Sequence, residues 1–407
     1  FRRSRGLGDV YKRQEKFIYY RLTIKLKLIT LLLFVISFHF TNGQNITNST
    51  NIHITKFWPQ QPNGFTYPIH IYVPQGNPPL GGYPVAILLH GNGGNGNQII
   101  FNVKNTLECH VLVAPTGYQN SWNICSENSD APDTEMIYDL VNQLQSYSNI
   151  NSNKIRILGF SNGAALANNV FIQNDNQGID IICSVISQLN EPQYHLNSFW
   201  KSANNTDPSL NYCGYNVQSY PTNNRKYLSI CNDNDMTIPY YGGQSAVGLH
   251  FIHAEEAAYS IAKNNGYLGP KIDSAAGFPL GLPVVFEYAY SSVGVFHIRG
   301  NAGHGINITQ NNYIKNFLND CNSVSNSDSK ELNQLLIYPN PTSSFITIKH
   351  ESNLPLSFRL YDVFGRTIQK FKSKHYETTL DLTKFNDSFY FLEIDERIVK
   401  IAKYQGI

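Results

Sequence analysis

The sequence is poor in charged residues, which make up only 15% of its 407 positions and leave a net charge of +2. So few charges of either sign cannot form a long basic or acidic face. Nucleic acid is therefore not expected as a partner. A hydrophobic content of 42%, with 13% aromatic residues, is typical of a globular protein with room for one large domain and a smaller one.

Cysteine pairs at metal-binding spacing are also missing. The six cysteines include no Cys-x-x-Cys pair, which argues against a zinc site. In an exported protein they would permit up to three disulfides, although the sequence does not show which cysteines pair. Buried free thiols are the alternative for each of them. We predict neither a metal nor an organic cofactor.

The N-terminal part lacks a hydrophobic run long enough to span a membrane, which requires about 20 residues. The uncharged run Leu28–Phe40 contains thirteen. Because Lys25 and Lys27 precede this run and small residues follow it, we predict a secretory signal peptide over residues 25–43. A buried core helix is the alternative. Residues 1–24 resemble a cloning linker read through in frame and are left out of the fold prediction.

Residues 44–321 combine apolar strands with amphipathic helices. Tyr83–His90 and His110–Pro115 are apolar throughout, as in strands that are buried on both faces of a parallel sheet. Asp133–Ser146 carries a helical stripe of apolar residues, and Ala254–Asn264 is a further predicted helix. This alternation predicts a doubly wound, mostly parallel α/β sheet.

Three further segments carry weaker signals. Phe65–Val73 alternates like an early strand, with Pro68 favouring an edge or a bulge. Ser187–Asn224 is long and polar, and we expect an excursion or lid with little regular structure that sets the size of any pocket. A last helix of the sheet domain is predicted to begin near Tyr313.

The composition changes after Cys321. Residues 322–332 are short, polar and featureless, as in a linker. Residues 333–407 contain short alternating strands separated by turns. They predict a small all-β sandwich as a second domain.

The strongest motif is Gly-x-Ser-x-Gly at Gly159–Gly163, between the predicted strand Lys154–Leu158 and a helix that starts near Ala164. A strand, a sharp glycine turn and a helix form the nucleophile elbow of α/β-hydrolases, which would expose the hydroxyl of Ser161. The motif also arises by chance, and a plain turn is the alternative.

A serine nucleophile needs a base and an orienting acid, which follow it in chain order in this arrangement. Asp235 lies in a loop after a predicted strand, and His304 lies in a glycine-rich loop after a later one. We predict Ser161, Asp235 and His304 as the catalytic set. Asp233 is a second acid that could instead cap a turn, and His297 is the weaker histidine because it falls within a strand pattern.

A glycine-rich turn at His90–Gly94 could supply one backbone N–H of an oxyanion hole, and Asn162 could supply the other. A plain Gly/Asn loop is the alternative. Trp122 and Tyr118 are candidates for the wall of an acyl pocket or for the packed core. Tyr240, at the end of the acid loop, is a further candidate for substrate binding.

These motifs together resemble a family of secreted esterases that includes feruloyl esterases, acetylxylan esterases and polyhydroxybutyrate depolymerases. The resemblance covers about residues 55–320. It rests on the following segments: His90-Gly91, Pro115 with Trp122, Gly159–Gly163, Asp235–Tyr240 and Gly303-His304.

The resemblance implies an α/β-hydrolase fold and a definite division of roles. Ser161 would be the nucleophile, His304 the base and Asp235 the acid, while Asn92 and Asn162 would donate to the oxyanion. The chain departs from the family pattern before the acid loop, where it has Cys231-Asn232 in place of the usual His-Gly. This departure concerns the surroundings of the acid.

The tail resembles the C-terminal sorting domain of the type IX secretion system of Bacteroidetes. Phe389 stands where a Gly-Val or Gly-Ile pair is more usual. A carbohydrate-binding β-sandwich is the alternative, which the scarcity of exposed-looking aromatic residues disfavours. The matching segments are Tyr338–Thr342, Ile346–Ile348, Leu360–Gly365 and Phe389–Ile394.

The sequence therefore predicts a secreted or surface-attached serine carboxylic-ester hydrolase that acts through an acyl-enzyme. We expect feruloyl or acetyl esters of plant polysaccharide as substrates and the type IX secretion machinery as a partner of the tail. A polyhydroxyalkanoate-type polyester depolymerase is the nearest alternative and a serine peptidase a more distant one. A non-catalytic surface binding protein on the same fold is the alternative from another class.

Overall fold

The computed structural model describes residues 43–203, 206–280, 285–318, 335–350, 355–363, 365–394 and 397–404. The N-terminal segment 1–24, all but the last residue of the predicted signal peptide and the predicted linker 322–332 lie outside this range. Contacts within the chain divide it into two compact units, with the division between residues 323 and 324.

The first unit is built from strands and helices in alternation. Its helices are α1 (Gly96–Val103), α2 (Asp133–Leu144), α3 (Asn162–Gln173), α4 (Ala254–Asn264) and α5 (Ile308–Leu318). Its strands are β1 (Thr55–Trp58), β2 (Gln61–Thr66), β3 (Ile69–Tyr72), β4 (Tyr83–Leu89), β5 (Val111–Pro115), β6 (Ile150–Phe160), β7 (Ile179–Val185), β8 (Tyr194–His195), β9 (Ser198–Ser202), β10 (Tyr215–Ser219), β11 (Lys226–Asn232), β12 (Gly243–Gln244), β13 (His250–Phe251), β14 (Phe278–Pro279), β15 (Phe286–Tyr290) and β16 (Val295–Gly300).

Within the described residues, a nine-stranded sheet runs in the order β14-β15-β16-β11-β7-β6-β4-β5-β3. The six strands from β16 to β5 are parallel, and β3, β15 and β14 pair antiparallel at the edges. The chain passes from β4 outward to β5 and then returns to β6 on the other side of β4. Such a reversal opens a crevice at the carboxyl ends of the strands, where ligands bind in open α/β sheets.

Both faces of the sheet are covered by helices. In β4, Val85, Ile87 and Leu89 pack into one apolar cluster with α2, α3 and α4. Ala86 and Leu88 point the other way, into a second cluster with α1 and α5. Strands buried on both faces explain why the sequence of β4 is apolar at every position. The predicted doubly wound α/β-hydrolase fold is confirmed.

Two predicted boundaries differ from the structure. Pro68 separates β2 from β3, so the single strand expected over Phe65–Val73 is wrong, although β3 is the edge strand that a nearby proline favours. Helix α5 begins at Ile308, five residues before the predicted Tyr313. Asn307 Oδ1 accepts from Gln310 N, and Gln310 Oε1 accepts from Asn307 N, which forms a reciprocal cap at the start of this helix.

The expectation of little regular structure over Ser187–Asn224 is also wrong. Strands β8, β9 and β10 form a small antiparallel sheet there. Its strands are short and largely polar, which hid them from a search for apolar runs. Tyr194, Phe199 and Tyr215 are nevertheless buried and anchor this sheet on the main core.

Disulfides also stabilise the first unit. Cys125 pairs with Cys213, and Cys109 is disulfide-bonded as well. Cys183 and Cys231 are buried free thiols, so the upper limit of three disulfides is not reached.

The second unit is an all-β sandwich, as predicted. Apolar side chains of both of its sheets, β17-β18-β21 and β20-β19-β22-β23, form one core. Its strands are β17 (Leu335–Tyr338), β18 (Phe345–His350), β19 (Leu356–Tyr361), β20 (Thr367–Ser373), β21 (Glu377–Asp381), β22 (Ser388–Ile394) and β23 (Arg397–Lys403).

The Cys125–Cys213 bond closes a loop over a sequence separation of 88. Since a cross-link over a loop of this size restricts the unfolded chain, we expect Cys213→Ala to lower the free energy of unfolding by about 2–5 kcal/mol. Urea unfolding of Cys125→Ala, Cys213→Ala and the double variant measures this. The double variant should lose no more than either single one, and additive losses would contradict a shared bond.

Candidate active site

Ser161 lies at the turn between β6 and α3. Its backbone has φ 54° and ψ −119°, a conformation that costs a residue with a Cβ about 1–3 kcal/mol. The turn is held by a hydrogen bond of 2.9 Å from Ser161 N to Val185 O. The serine therefore stands at the carboxyl edge of the sheet, as the elbow motif predicts.

The two glycines of the motif are required by close packing of the backbone. A Cβ at Gly159 would lie 2.1 Å from the carbonyl oxygen of Gly163. A Cβ at Gly163 would lie 2.2 Å from the carbonyl oxygen of Leu89 on β4. Helix α3 can thus start against β6 and β4 only when both positions lack a side chain.

The structure brings the three predicted catalytic residues together. Ser161 Oγ lies 2.8 Å from His304 Nε2, and His304 Nδ1 lies 2.8 Å from Asp235 Oδ2. The three residues follow β6, β16 and β11, whose carboxyl ends lie along one edge of the sheet. An imidazole that donates Nδ1–H to the carboxylate presents the lone pair of Nε2 to the serine hydroxyl.

The carboxylate of Asp235 is buried and fully engaged. Oδ1 accepts from the backbone N–H groups of Thr237 at 2.8 Å and Ile238 at 3.1 Å. Burial of Asp235 raises its pKa, but the hydrogen bonds from His304 and these two N–H groups outweigh burial, and the pKa lies below its usual value. The ionised form is therefore favoured, which suits a group that orients a histidine.

Two asparagines beside the acid hold the histidine loop. Asn232 Nδ2 donates to Gly303 O and Gly305 O, each at 2.8 Å, and so holds the backbone on both sides of His304. Asn234 Oδ1 accepts from Gly303 N at 2.8 Å. Asn232 occupies the position where the chain departs from the family pattern. This role is not predictable from the sequence, because the bonded loops lie about 70 residues apart.

Asp233 and His297, the weaker catalytic candidates, make no hydrogen bond to Ser161, His304 or Asp235 that involves their side chains among the bonds described. Asp233 contributes a backbone hydrogen bond from its N–H to Gly300 O. His297 is fully buried, with Nδ1 3.2 Å from Ser229 Oγ and Nε2 3.0 Å from Tyr240 Oη. Burial lowers the pKa of His297 to about 3, so that it stays neutral near pH 7.

Tyr240 belongs to the same buried network. Only 1% of it is exposed, and its hydroxyl donates to Glu255 Oε1 at 3.0 Å. Tyr240 is therefore buried and is not among the residues that line the pocket.

The His90 side chain stabilises the predicted oxyanion turn through two hydrogen bonds. Its ring donates from Nδ1 to Gly91 O at 2.8 Å and accepts at Nε2 from Gly117 N at 3.1 Å. Burial lowers the pKa of His90, partly offset by its hydrogen bond to Gly91. The neutral ring that this bonding pattern requires is therefore favoured.

Both predicted oxyanion donors line the pocket with the serine. Asn92 lies within the turn that follows β4, and Asn162 is the first residue of α3. The backbone N–H of a first helical residue has no acceptor within its helix. That of Asn162 is therefore available to a negative charge that develops beside Ser161.

Trp122 and Tyr118 do not line this pocket. Trp122 is fully buried, its Nε1 donates to His90 O at 2.8 Å, and its ring lies 4.7 Å from the His90 ring. Tyr118 packs edge-on against Trp58 and Phe65. Trp122 thus supports the turn at His90, whereas Tyr118 packs against the apolar core.

The pocket at Ser161 has a volume of about 510 Å³ and is lined by two contrasting segments. Gln119–Asn128 contributes mainly polar side chains, whereas Ile238–Phe251 contributes apolar ones. Among the described residues of the predicted lid, only Ser187 lines the pocket. These described residues therefore do not cover the pocket directly, and the expectation that Ser187–Asn224 sets its size stays a prediction. The residues of the apolar segment are Ile238, Val247, Leu249 and Phe251.

The described residues show neither a metal-binding cluster nor a helix suited to span a membrane. Among these residues, no group of three or more His, Cys, Asp or Glu side chains is arranged to hold a metal ion. Across the same part of the chain, no helix is both long and apolar enough to cross a membrane.

Comparison with known families identifies the tail. Residues 336–404 match the family model described as "Secretion system C-terminal sorting domain". The predicted C-terminal sorting domain is thereby confirmed, and it indicates secretion or surface attachment. A search of curated proteins found no match to the sequence.

Among solved structures, the chain is similar to the Bacillus cereus carboxylesterase, with 12% identity over 62% of this chain and 93% of that one and a TM-score of 0.38. A phospholipase/carboxylesterase from Dyadobacter fermentans gives 14% identity, 67% and 99% coverage and a TM-score of 0.38. LpqC, a poly(3-hydroxybutyrate) depolymerase from Bordetella parapertussis, gives 13% identity, 57% and 98% coverage and a TM-score of 0.33.

The packing at the elbow predicts that Gly163→Ala is strongly destabilising. Because the new Cβ would meet a backbone oxygen at 2.2 Å, we expect the free energy of unfolding to fall by about 3 kcal/mol or more. Gly305→Ala is the control, since its Cβ would find its nearest neighbour at an ordinary 3.5 Å. Urea unfolding that left both variants equal to wild type would contradict this account.

The lowered pKa of Asp235 predicts a loss of stability in acid. The unfolded carboxyl, with a pKa of about 3.9, binds a proton more readily than the folded one. The stability that Asp235 contributes is therefore fully present above about pH 4 and is lost as the pH falls through the folded pKa. In urea unfolding between pH 3 and 7, the difference between wild type and Asp235→Asn should shrink towards acid. A difference independent of pH would contradict this assignment.

Proposed function

We propose that this chain is a secreted serine carboxylic-ester hydrolase. The observation that carries the proposal is the hydrogen-bonded chain from Ser161 through His304 to Asp235 at a pocket lined by Asn92 and Asn162. A nucleophile, a base with its orienting acid and two candidate oxyanion donors are the groups that acyl transfer requires.

In the first step, Ser161 Oγ attacks the ester carbonyl carbon while His304 Nε2 takes the hydroxyl proton. The carbonyl oxygen becomes an oxyanion, which accepts from the backbone N–H groups of Asn162 and Asn92. Asp235 stabilises the imidazolium that forms. When the intermediate collapses, the bond to the alcohol oxygen breaks and that oxygen takes the proton from His304.

The second step releases the acyl group. Water loses a proton to His304 Nε2 and attacks the carbonyl carbon of the acyl-serine. The new tetrahedral intermediate expels Ser161 Oγ, which recovers its proton from the imidazolium. The products are a carboxylic acid and an alcohol, and the chain is restored.

The preferred substrates are feruloyl or acetyl esters of plant polysaccharide. Polar side chains in Gln119–Asn128 suit a hydroxylated alcohol, and apolar ones in Ile238–Phe251 suit an acyl group. The apolar segment also favours a second candidate, a polyhydroxyalkanoate-type polyester. The C-terminal sorting domain would deliver the enzyme through the type IX secretion machinery.

Substitution of the catalytic set tests the proposal. Ser161→Ala and His304→Ala should each lower kcat/KM on p-nitrophenyl acetate and methyl ferulate by roughly 10³–10⁶-fold, because each removes a group that acts in the transition state. Asp233→Asn is the matched control and should stay within a few-fold of wild type.

Two results would contradict the proposal. One is wild-type protein that is inert on these esters, on longer acyl esters and on 3-hydroxybutyrate oligomers. The other is hydrolysis that survives Ser161→Ala. The ester with the highest kcat/KM separates the polysaccharide candidate from the polyester one.

A further inference from the structure

Glu127 brings a negative charge into the pocket at Ser161. It lines that pocket together with Ser161 and Asn162 and is half-buried there. Every other described residue that lines the pocket has a neutral side chain. The catalytic mechanism above gives Glu127 no role.

Hydrogen bonds engage both carboxylate oxygens of Glu127. Its Oε1 accepts from Asn162 Nδ2 at 3.0 Å. Its Oε2 accepts from the backbone N–H groups of Ile124 at 3.0 Å and Cys125 at 2.7 Å. All of these partners are donors, which suits a side chain that accepts at both of its oxygens.

The orientation of Asn162 excludes a neutral amide in the place of Glu127. Asn162 Oδ1 accepts from Trp122 N at 2.8 Å, and its Nδ2 donates to Trp122 O at 3.1 Å. The amide of Asn162 cannot turn over without losing both bonds. A glutamine at 127 would therefore meet at least one donor with its own NH₂ group.

The charge also acts on its surroundings. The pKa of Asp133 is raised to about 7, mainly because the residue is buried. Hydrogen bonds from Asn123 and Tyr67 lower this pKa, whereas the negative charge of Glu127 raises it further. Charges in a partly buried site interact more strongly than charges in water. A substrate that carries a charge near the scissile bond would experience the same field.

We infer that Glu127 makes this pocket selective by charge, so that it accepts neutral and cationic esters and rejects esters that carry a carboxylate. This inference rests on the proposed esterase function and narrows its substrate class. Two carboxylates in one pocket repel each other, whereas an ammonium group is attracted. Hemiesters of dicarboxylic acids are therefore poor substrates.

A matched series of substrates tests the inference. We would measure kcat/KM for the p-nitrophenyl esters of pentanoate, of glutarate with its second carboxylate free, and of 5-aminopentanoate. The acyl chains are equal in length, and an apolar pocket penalises the anion and the cation alike. The ratio of kcat/KM for the 5-aminopentanoate ester to kcat/KM for the glutarate ester therefore depends on the sign of the charge. In wild type this ratio should be roughly tenfold or more.

Two variants separate charge from geometry. Glu127→Gln keeps the length of the side chain and loses the charge, whereas Glu127→Asp keeps the charge and shortens the reach. Both lose hydrogen bonds, so activity on pentanoate should fall in both. The ratio of cation to anion should fall by roughly tenfold in Glu127→Gln and stay near the wild-type value in Glu127→Asp.

Each outcome decides the question. Wild type that hydrolyses glutarate as fast as 5-aminopentanoate overturns the inference, and this result does not depend on either variant folding. Equal changes of the ratio in both variants also overturn it, because shape would then be the cause. Failure of the esterase proposal looks different: wild type would hydrolyse none of the three esters, or Ser161→Ala would leave hydrolysis intact.

Discussion

The geometry of the site depends on the close approach of backbone atoms at the nucleophile turn. Gly159 and Gly163 bring β6, α3 and β4 together at distances that no side chain permits. This packing forces Ser161 into a strained conformation and fixes where its hydroxyl stands. The backbone N–H of Asn162 is placed by the same turn. One steric constraint therefore positions both the nucleophile and a candidate oxyanion donor.

Amide and carboxylate side chains then attach the remaining loops to this fixed point. Asn232 and Asn234 join the acid loop to the histidine loop. Asn162 and Glu127 join the nucleophile turn to the segment that forms the polar part of the pocket. A chain with few charged residues thus uses short polar side chains to order its loops. Such bonds are directional and set distances within tenths of an ångström.

How much of this arrangement the sequence predicts depends on how far apart along the chain the interacting residues lie. The elbow is local, so Gly159–Gly163 predicted the strand, the turn and the helix. Asp235 and His304 are predicted as catalytic residues from their order after the serine, and the structure brings them within hydrogen-bonding distance of each other. Pocket walls were not predictable, because Tyr240 and Trp122 are aromatic residues whose burial depends on distant partners. The position of Ile238–Phe251 at the pocket was not predictable for the same reason.

The hydrogen bond between Ser161 and His304 joins positions 143 residues apart. No fragment that ends before β16 contains both partners, and β7 and β11 must pair between β6 and β16 before the two can meet. The reactive serine can therefore gain its full nucleophilicity only after the last parallel strand has been added. Turnover of a chromogenic ester would in that case report the fraction of chains that have completed folding. Ester hydrolysis could then serve as an assay of folding in refolding and secretion experiments.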